Sequence, residues 1–249
     1  MEKEERFRLG DWHFRASSSR ILGSVCKCID KSAAGDGRKC ELCRFRQTLQ
    51  LPSLPDMVFA SNVLKIRHKS GGGLTFRALD ALRQEWAQNR QDIEVAKSVV
   101  KPFDWTYTTD YSGTLKGFQE VPTEEKIDYE ALTKVQPILF YQSLDLFEDE
   151  LSDHGCSKLQ IKLRCMPTSF FALLQFYLRV DRVLVRVYNT RFFWGESNGN
   201  SILKEHSVVQ KSYDEMSTEQ RDAIMNPSNF SELTMPSNIS TYRLQMNAS

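Results

Sequence analysis

LQIKLRCMPTSFFALLQFYLRVDRVLVRVYNTRFF, residues 159–193, is the stretch on which the fold turns. Leu159, Ile161, Leu163 and Cys165 alternate with Gln160, Lys162 and Arg164, the period of a strand with one buried and one polar face. Ser169–Val180 and residues 183–193 read as two further strands joined through Asp181 and Arg182, so the segment predicts an antiparallel meander. Ser169–Val180 is the most apolar run in the chain, but Gln175 and Arg179 interrupt it, and no stretch approaches the ~20 apolar residues of a membrane span.

Working outward, Phe140, Leu144, Phe147 and Leu151 step by four, three and four residues, which predicts a helix begun after Pro137 and stopped near Gly155. Residues 79–100 lack Pro and Gly, and Leu79, Leu82, Trp86 and Ile93 fall near helical spacing, predicting a second helix. Val63–His68 reads as a strand ended by Gly71, Gly72 and Gly73, and residues 10–16 as a short strand with Trp12 and Phe14 on one face. The two prolines in residues 51–57 predict an extended connector, and the aromatic, Thr-rich residues 101–114 a strand and hairpin. Ser217 followed by Gln220 is a capping box that opens one more helix, and the Ser/Asn-rich residues beyond Pro227 read as loose. Strands and helices come in blocks without βαβ alternation. That predicts an α+β fold: one domain, an antiparallel sheet core and packed helices.

The composition suits a globular chain of 249 residues, with 41% hydrophobic and 26% charged side chains and a mean hydropathy of −0.44. Lys and Arg number 33 against 32 for Asp and Glu, so attraction to nucleic acid or an anionic membrane is not written into the molecule as a whole. The opening MEKEERFRLG lacks the apolar core of a secretory signal, pointing to a cytoplasmic, or additionally nuclear, address. The six cysteines are then expected to be reduced.

Motifs of enzymes are missing: there is no GxxxxGK[ST], no GxSxG and no HExxH. Glu148, Asp149, Glu150, Asp153 and His154 read as a solvated helix end, because consecutive acids on a helix point in different directions. His13, His68, His154 and His206 fall in different elements. From Asp104 to Tyr111, alternation puts Trp105, Tyr107 and Thr109 on one face, which a core explains, and Asp104, Thr106, Thr108 and Asp110 on the other, which reads either as an ordinary structural face or as a hydrogen-bonding ledge for a peptide or a sheet edge. The sharpest local signal is Cys26-x-Cys28 followed by Cys40-x-x-Cys43. These residues read either as a structural zinc site, its charge offset by Lys27, Lys31, Arg38, Lys39 and Arg44, or as free thiols on a loop. Four thiolates leave no open position for a reactive water, so a zinc ion there has a structural role. Cys156 and Cys165 read as ordinary semi-buried cysteines.

Four blocks together resemble the TOR-signalling-pathway regulator family (TIPRL, or Tap-interacting proteins). They are LPSLPDMVFASNVLKIRHKSGGGLTFRALDAL (51–82), VKPFDWTYTTDYSGTL (100–115), LFEDELSDHG (146–155) and LRCMPTSFFALLQFYLRVDRVLVRVYNTRFF (163–193). The resemblance covers roughly residues 10–193 in order. It implies a non-catalytic α+β domain that needs no cofactor. Its partners would be the catalytic subunits of type 2A, 4 and 6 protein phosphatases, whose activity it modulates in TOR signalling. The polar residues within the matching blocks that could carry such binding are Asp80, Asp104, Tyr107, Asp110, Tyr188, Asn189 and Arg191. Relative to the family pattern, residues of about 24–46 look inserted, the stretch RVYNTR has Asn189 where Asp is expected, and the likeness fades after about 194. The alternative reading is a zinc-dependent nucleic-acid-binding protein with the basic cysteine loop as reader, against which the near-neutral net charge weighs.

Overall fold

A computed structural model describes residues 3–28, 39–49, 54–88, 110–133, 136–223 and 238–247. Its strands in chain order are β1 (Lys3–Leu9), β2 (Trp12–Ser18), β3 (Met57–Val58), β4 (Val63–His68), β5 (Gly73–Arg77), β6 (Thr114–Lys116), β7 (Phe118–Pro122), β8 (Phe140–Asp149), β9 (Gly155–Met166), β10 (Ser169–Val180), β11 (Leu184–Gly195), β12 (Ile202–Ser212) and β13 (Asn238–Met246). The helices are α1 (Glu41–Leu49), α2 (Ala78–Gln88), α3 (Tyr129–Thr133) and α4 (Thr218–Ala223).

The strands form two antiparallel sheets, of five strands in the order β1-β2-β4-β5-β6 and of eight in the order β3-β8-β9-β10-β11-β12-β13-β7. With the helices this is the α+β fold that the blocks of strands and helices predict, and β9 to β11 are the antiparallel meander expected at 159–193. Strand β10 lies near the middle of the large sheet and pairs along its whole length with β9 on one side and β11 on the other. Alternation sends Phe170, Ala172, Leu174, Phe176 and Leu178 to one face, where they are buried. The small sheet supplies the facing layer from Trp12, Phe14, Leu64, Ile66, Leu74 and Phe76. Aromatic rings stitch the layers: the ring of Phe170 lies 5.2 Å from Trp12 and 5.3 Å from Phe14, both edge-on, and Phe76 lies 5.5 Å from Phe192. Each such side chain, fully buried, contributes ~1.5–3 kcal/mol, so this seam is the main store of stability.

Strand β8 corrects the predicted helix at 140–151. The four-three-four spacing is real, but its cause is a β-bulge. Leu144 pairs with Ile161, Phe147 pairs with Leu159, and the register shifts between Asp145 and Phe147. Leu146 is the extra residue, so the inward parity shifts from even to odd between Leu144 and Phe147, and a strand with one insertion imitates the helical step. The bulge leaves carbonyls facing away from β9, and the turn after β3 satisfies them. Phe59 N–H donates to Leu146 O at 3.0 Å, and Asn62 Nδ2 donates to Asp145 O at 2.7 Å.

Other elements were only partly foreseen. Helix α1 occupies part of the cysteine-rich stretch read as a loop, and Leu42, Phe45 and Leu49 turn inward at helical spacing. Helix α2 matches the start of the predicted helix, with Ala78, Ala81 and Leu82 buried; its proposed continuation past Gln88 lies outside the described residues. Most of the predicted hairpin at 101–114 also lies outside them, and Thr114 begins β6 instead. The capping box opens α4: Gln220 N–H donates to Ser217 Oγ at 3.3 Å, and Ser217 N–H to Gln220 Oε1 at 3.2 Å. Within the tail expected to be loose, Asn238–Met246 is a strand between β12 and β7.

Candidate functional site

The face of the large sheet turned away from the aromatic seam carries a polar strip. Cross-strand register aligns Asp145, Gln160, Gln175, Asn189 and Ser207 on five neighbouring strands. Gln160 Nε2 donates to Gln175 Oε1 at 3.1 Å, and Gln175 Nε2 donates to Asn189 Oδ1 at 2.9 Å, giving a directional ladder of amides. Beside it, Arg191 Nη1 donates to Ser207 Oγ at 2.8 Å and to Glu205 Oε1 at 3.2 Å, and Tyr129 of α3 donates its hydroxyl to the same carboxylate oxygen at 2.5 Å. The Glu205 side chain is only 6% exposed, so the guanidinium and phenol together stabilise a desolvated negative charge. Burial and that carboxylate push the Tyr129 phenol well above its ordinary value. Flanking the middle of the strip, Tyr177 and Val187, two positions along from Gln175 and Asn189, join Val185 and Met216 in a small apolar cluster.

Among the described residues, the predicted partner-binding side chains fall on different faces and elements. Asn189 and Arg191 share the polar strip. Tyr188, an odd number of positions from both on the same strand, points to the opposite face, where its ring lies 5.8 Å from Phe176 and 6.1 Å from His206. Asp110 is exposed, and its charge favours protonation of His206, although burial and Lys204 hold that imidazole below its ordinary value. Asp80 opens α2 and is turned inward, accepting from Arg77 Nε at 2.7 Å and Thr114 Oγ1 at 3.0 Å. Its carboxylate therefore closes a contact between α2 and β6. Asp104 and Tyr107 lie outside the described residues.

The acidic run after the bulge is not a solvated helix end. Glu148 pairs with Lys158 at 2.9 Å, while Asp149 is buried and accepts from the backbone N–H groups of Leu151 at 2.8 Å and Asp56 at 3.1 Å. Burial pushes the Asp149 carboxyl up to about 6 despite those donors. Leu151, Ser152 and Asp153 then take left-handed φ values of 51°, 48° and 66°, and His154 Nδ1 lies 2.7 Å from Ser152 O. Three successive non-glycine residues in that region store strain of ~1–2 kcal/mol each. The buried carboxylate and the inward side chain of Leu151 hold the turn in place.

A second surface went unread in the sequence. On the outer face of the small sheet, Arg6 pairs across to Arg15 and Arg15 to Lys65, and Arg8 pairs to His13 and His13 to Arg67. Cations at every second position of three adjacent strands were the available signal. A groove of about 320 Å³ runs between Arg6, His13, Arg15, Lys65 and Arg67. Glu4 answers Arg6 at 2.7 Å and Arg15 at 2.9 Å, but the face keeps a positive balance that attracts anionic groups.

The four cysteines of the predicted metal cluster do converge, with their Sγ atoms all within 4.8 Å of one another. Cys43 Sγ lies 3.3 Å from Cys26 Sγ and 3.6 Å from Cys28 Sγ, and Cys40 Sγ lies 3.8 Å from Cys26 Sγ. Among the described residues this is the one group of three or more His, Cys, Asp or Glu side chains placed to share a metal ion. Cys156 and Cys165 are apart from it, and burial pushes their thiols up to about 11 and 12.

Taken together, the class of protein is a two-sheet antiparallel α+β scaffold that carries a polar strip on its large sheet and a cationic groove on its small one. The chain belongs to the TIP41-like family, whose sequence profile matches residues 57–217. It is 42% identical over 219 residues to the TIP41-like protein of Homo sapiens, covering 81% of this chain and 75% of that protein. The TIP41-like protein of Caenorhabditis elegans is 40% identical over 228 residues, covering 85% and 80%. The protein of Saccharomyces cerevisiae named type 2A phosphatase activator TIP41 is 31% identical over 201 residues, covering 68% of this chain and 56% of its own length. Cys26, Cys28, Cys40 and Cys43 precede the stretch that the family profile matches.

Proposed function

We propose that this chain is a non-catalytic regulator that binds the catalytic subunits of type 2A protein phosphatases and docks through the polar strip of its large sheet. The observation that carries the reading is kinship: relatives of this chain in Saccharomyces cerevisiae and Schizosaccharomyces pombe are named type 2A phosphatase activators. The strip suits the task. Its side-chain amides offer both donors and acceptors, the hydrogen bonding of which fixes register with a partner. An interface of ordinary size needs about 800 Å² per partner, which several strands of one sheet face can supply. Asn189 and Arg191 lie within the strip, so a docked partner would meet Asn189 directly and would find Arg191 already held by Glu205 and Ser207.

On this reading the type 2A, 4 and 6 catalytic subunits are all partners, the setting is TOR signalling, and the address is cytoplasmic and also nuclear. Binding requires no cofactor. A pull-down of each purified catalytic subunit by the full chain, with and without a zinc chelator, tests the reading. Capture that survives chelation is the expected result; failure of a folded chain to capture any of the three would overturn it.

A further inference from the structure

We propose that Cys26, Cys28, Cys40 and Cys43 form a structural zinc site that ties the segment after β2 to the start of α1. Tetrahedral zinc with Zn–S bonds of ~2.3 Å sets its sulfurs about 3.8 Å apart. The sulfur pairs at 3.3, 3.6 and 3.8 Å lie at or just below that value, and all four sulfurs fall within 4.8 Å of one another. All four cysteines are free, whereas a disulfide would bring two sulfurs to ~2.05 Å.

The backbone around the cluster has the form that a thiolate site requires. Cys40 sits at the mouth of α1, where its carbonyl accepts from Arg44 N–H at 3.0 Å, so Cys43 falls within the first helical turn and both thiols leave the same end of the helix. Backbone N–H groups point at sulfur: Cys40 N–H donates to Cys28 Sγ at 3.3 Å, and Cys28 N–H donates to Cys26 Sγ at 3.5 Å. Thiolates accept such bonds better than thiols do, and a metal fixes them as thiolates. Four thiolates around a divalent ion carry a net charge of about −2, and Lys27, Lys39 and Arg44 stand in the same short segments.

Both arms are already fastened to the protein, which keeps the ordering cost of the site low. Leu22 N–H donates to Val58 O at 2.7 Å, and Ser19 N–H donates to Asn62 Oδ1 at 2.8 Å. On the other arm, Phe45 and Leu49 of α1 are buried in the main core. Between these anchors the cysteines themselves are exposed or half-buried, so the apolar core does not explain why four of them meet. With all four positions of the metal filled by sulfur, the ion has no open site for a substrate or a reactive water. Its work is mechanical: it cross-links residues 26–28 to α1 and closes a loop of eleven residues between Cys28 and Cys40. Soft tetrathiolate sites select zinc or iron, and we assign zinc.

The test uses the full chain, expressed without a metal-binding tag and purified under reductant without chelator. Metal analysis is expected to return one zinc per chain, and X-ray absorption four sulfur neighbours at ~2.3 Å. The apo, reduced protein should take up one Co²⁺ with tetrahedral thiolate absorption, and Zn²⁺ should displace it. Cys40→Ser with Cys43→Ser should abolish both signals, and Cys156→Ser should keep them. Co²⁺ uptake needs no variant, so misfolding of the serine double variant cannot mask the answer. Tryptophan fluorescence, to which the buried Trp12 and Trp194 contribute, confirms that each sample is folded. A folded, reduced chain that takes up neither ion, one isolated with these cysteines as disulfides, or one that holds iron in place of zinc would each overturn the assignment.

Discussion

Replacing Arg191 by alanine should cost the fold about 2–3 kcal/mol, and the structure explains that size. The guanidinium gives hydrogen bonds to Glu205 and Ser207, and its removal leaves the Glu205 carboxylate, on a side chain 6% exposed, with the Tyr129 hydroxyl. Hydrogen bonds to charged groups contribute ~1.5–3 kcal/mol net, and breaking a fully buried ion pair costs ~3–5 kcal/mol. Arg191 is 22% exposed, so water entering its place softens the loss toward the lower end. Urea denaturation followed by tryptophan fluorescence measures it, read as a shift in midpoint at constant slope. Pairing the change with Glu205→Gln in a double-mutant cycle should recover a coupling of ~1–2 kcal/mol, since the double variant no longer leaves an unpaired buried charge. Arg191→Lys should rescue only part of the loss, because a point charge on a flexible stem does not reproduce the planar fork. A loss below ~0.5 kcal/mol for Arg191→Ala, the range of ordinary surface changes, would refute this account of the strip.

The Asp149 carboxyl should titrate near 6 by carbon-detected NMR, not in the usual carboxylate range. Its folded value lies above its unfolded one, so the native state holds the extra proton, and this residue's contribution to stability falls as pH rises from about 4 to about 6. The stability of Asp149→Asn relative to the parent should therefore improve by up to about 3 kcal/mol between pH 4 and pH 7.5, and a pH-independent difference would contradict it. Gly155→Ala should destabilise by more than ~3 kcal/mol, since a Cβ there would sit 2.0 Å from the Arg179 carbonyl oxygen at a φ of +151°; an unchanged thermal midpoint would contradict that. Asn189→Ala, by contrast, should shift the denaturation midpoint little, because its amide ends a half-buried ladder of neutral hydrogen bonds.

The parts of this fold that alternate cleanly were legible in the sequence, and the parts where a second interaction overrides alternation were not. Strands β9 to β11 follow from Leu159, Ile161 and Leu163 and from the apolar run after Ser169 because one face meets the aromatic seam and the other meets polar neighbours. Strand β8 misled because Leu146 adds one residue, and period two plus one insertion counts like period 3.6. Strand β12 went unread because both of its faces are covered while its side chains stay polar. Lys204, Glu205 and Ser207 are buried, with Lys204 reaching Ser112 at 3.1 Å and Glu120 at 3.0 Å, so hydropathy does not mark them as interior. Strand β13 depends on pairing with β12 and β7, which a local reading of residues 238–246 cannot see.

At the site the same logic holds. The four cysteines could be grouped from spacing alone because each pair lies within a few residues, one pair after β2 and one at the start of α1. Tyr188 could have been separated from Asn189 and Arg191 by strand parity, since adjacent residues of β11 face opposite ways. That Asp80 turns inward to Arg77 and Thr114 depends on the close approach of β6 to α2, which spacing does not encode.

The most direct test of the docking reading is calorimetric titration of a recombinant type 2A phosphatase catalytic subunit into the full chain and into the folded Gln175→Ala, Asn189→Ala double variant. The account predicts a dissociation constant of about 1 μM or tighter for the parent, equivalent to about −8 kcal/mol, and a loss of at least about tenfold, or ~1.4 kcal/mol, for the variant. Equal affinities for the two would place the interface elsewhere on the molecule, and no heat from the folded parent would contradict the proposal that this chain binds the phosphatase.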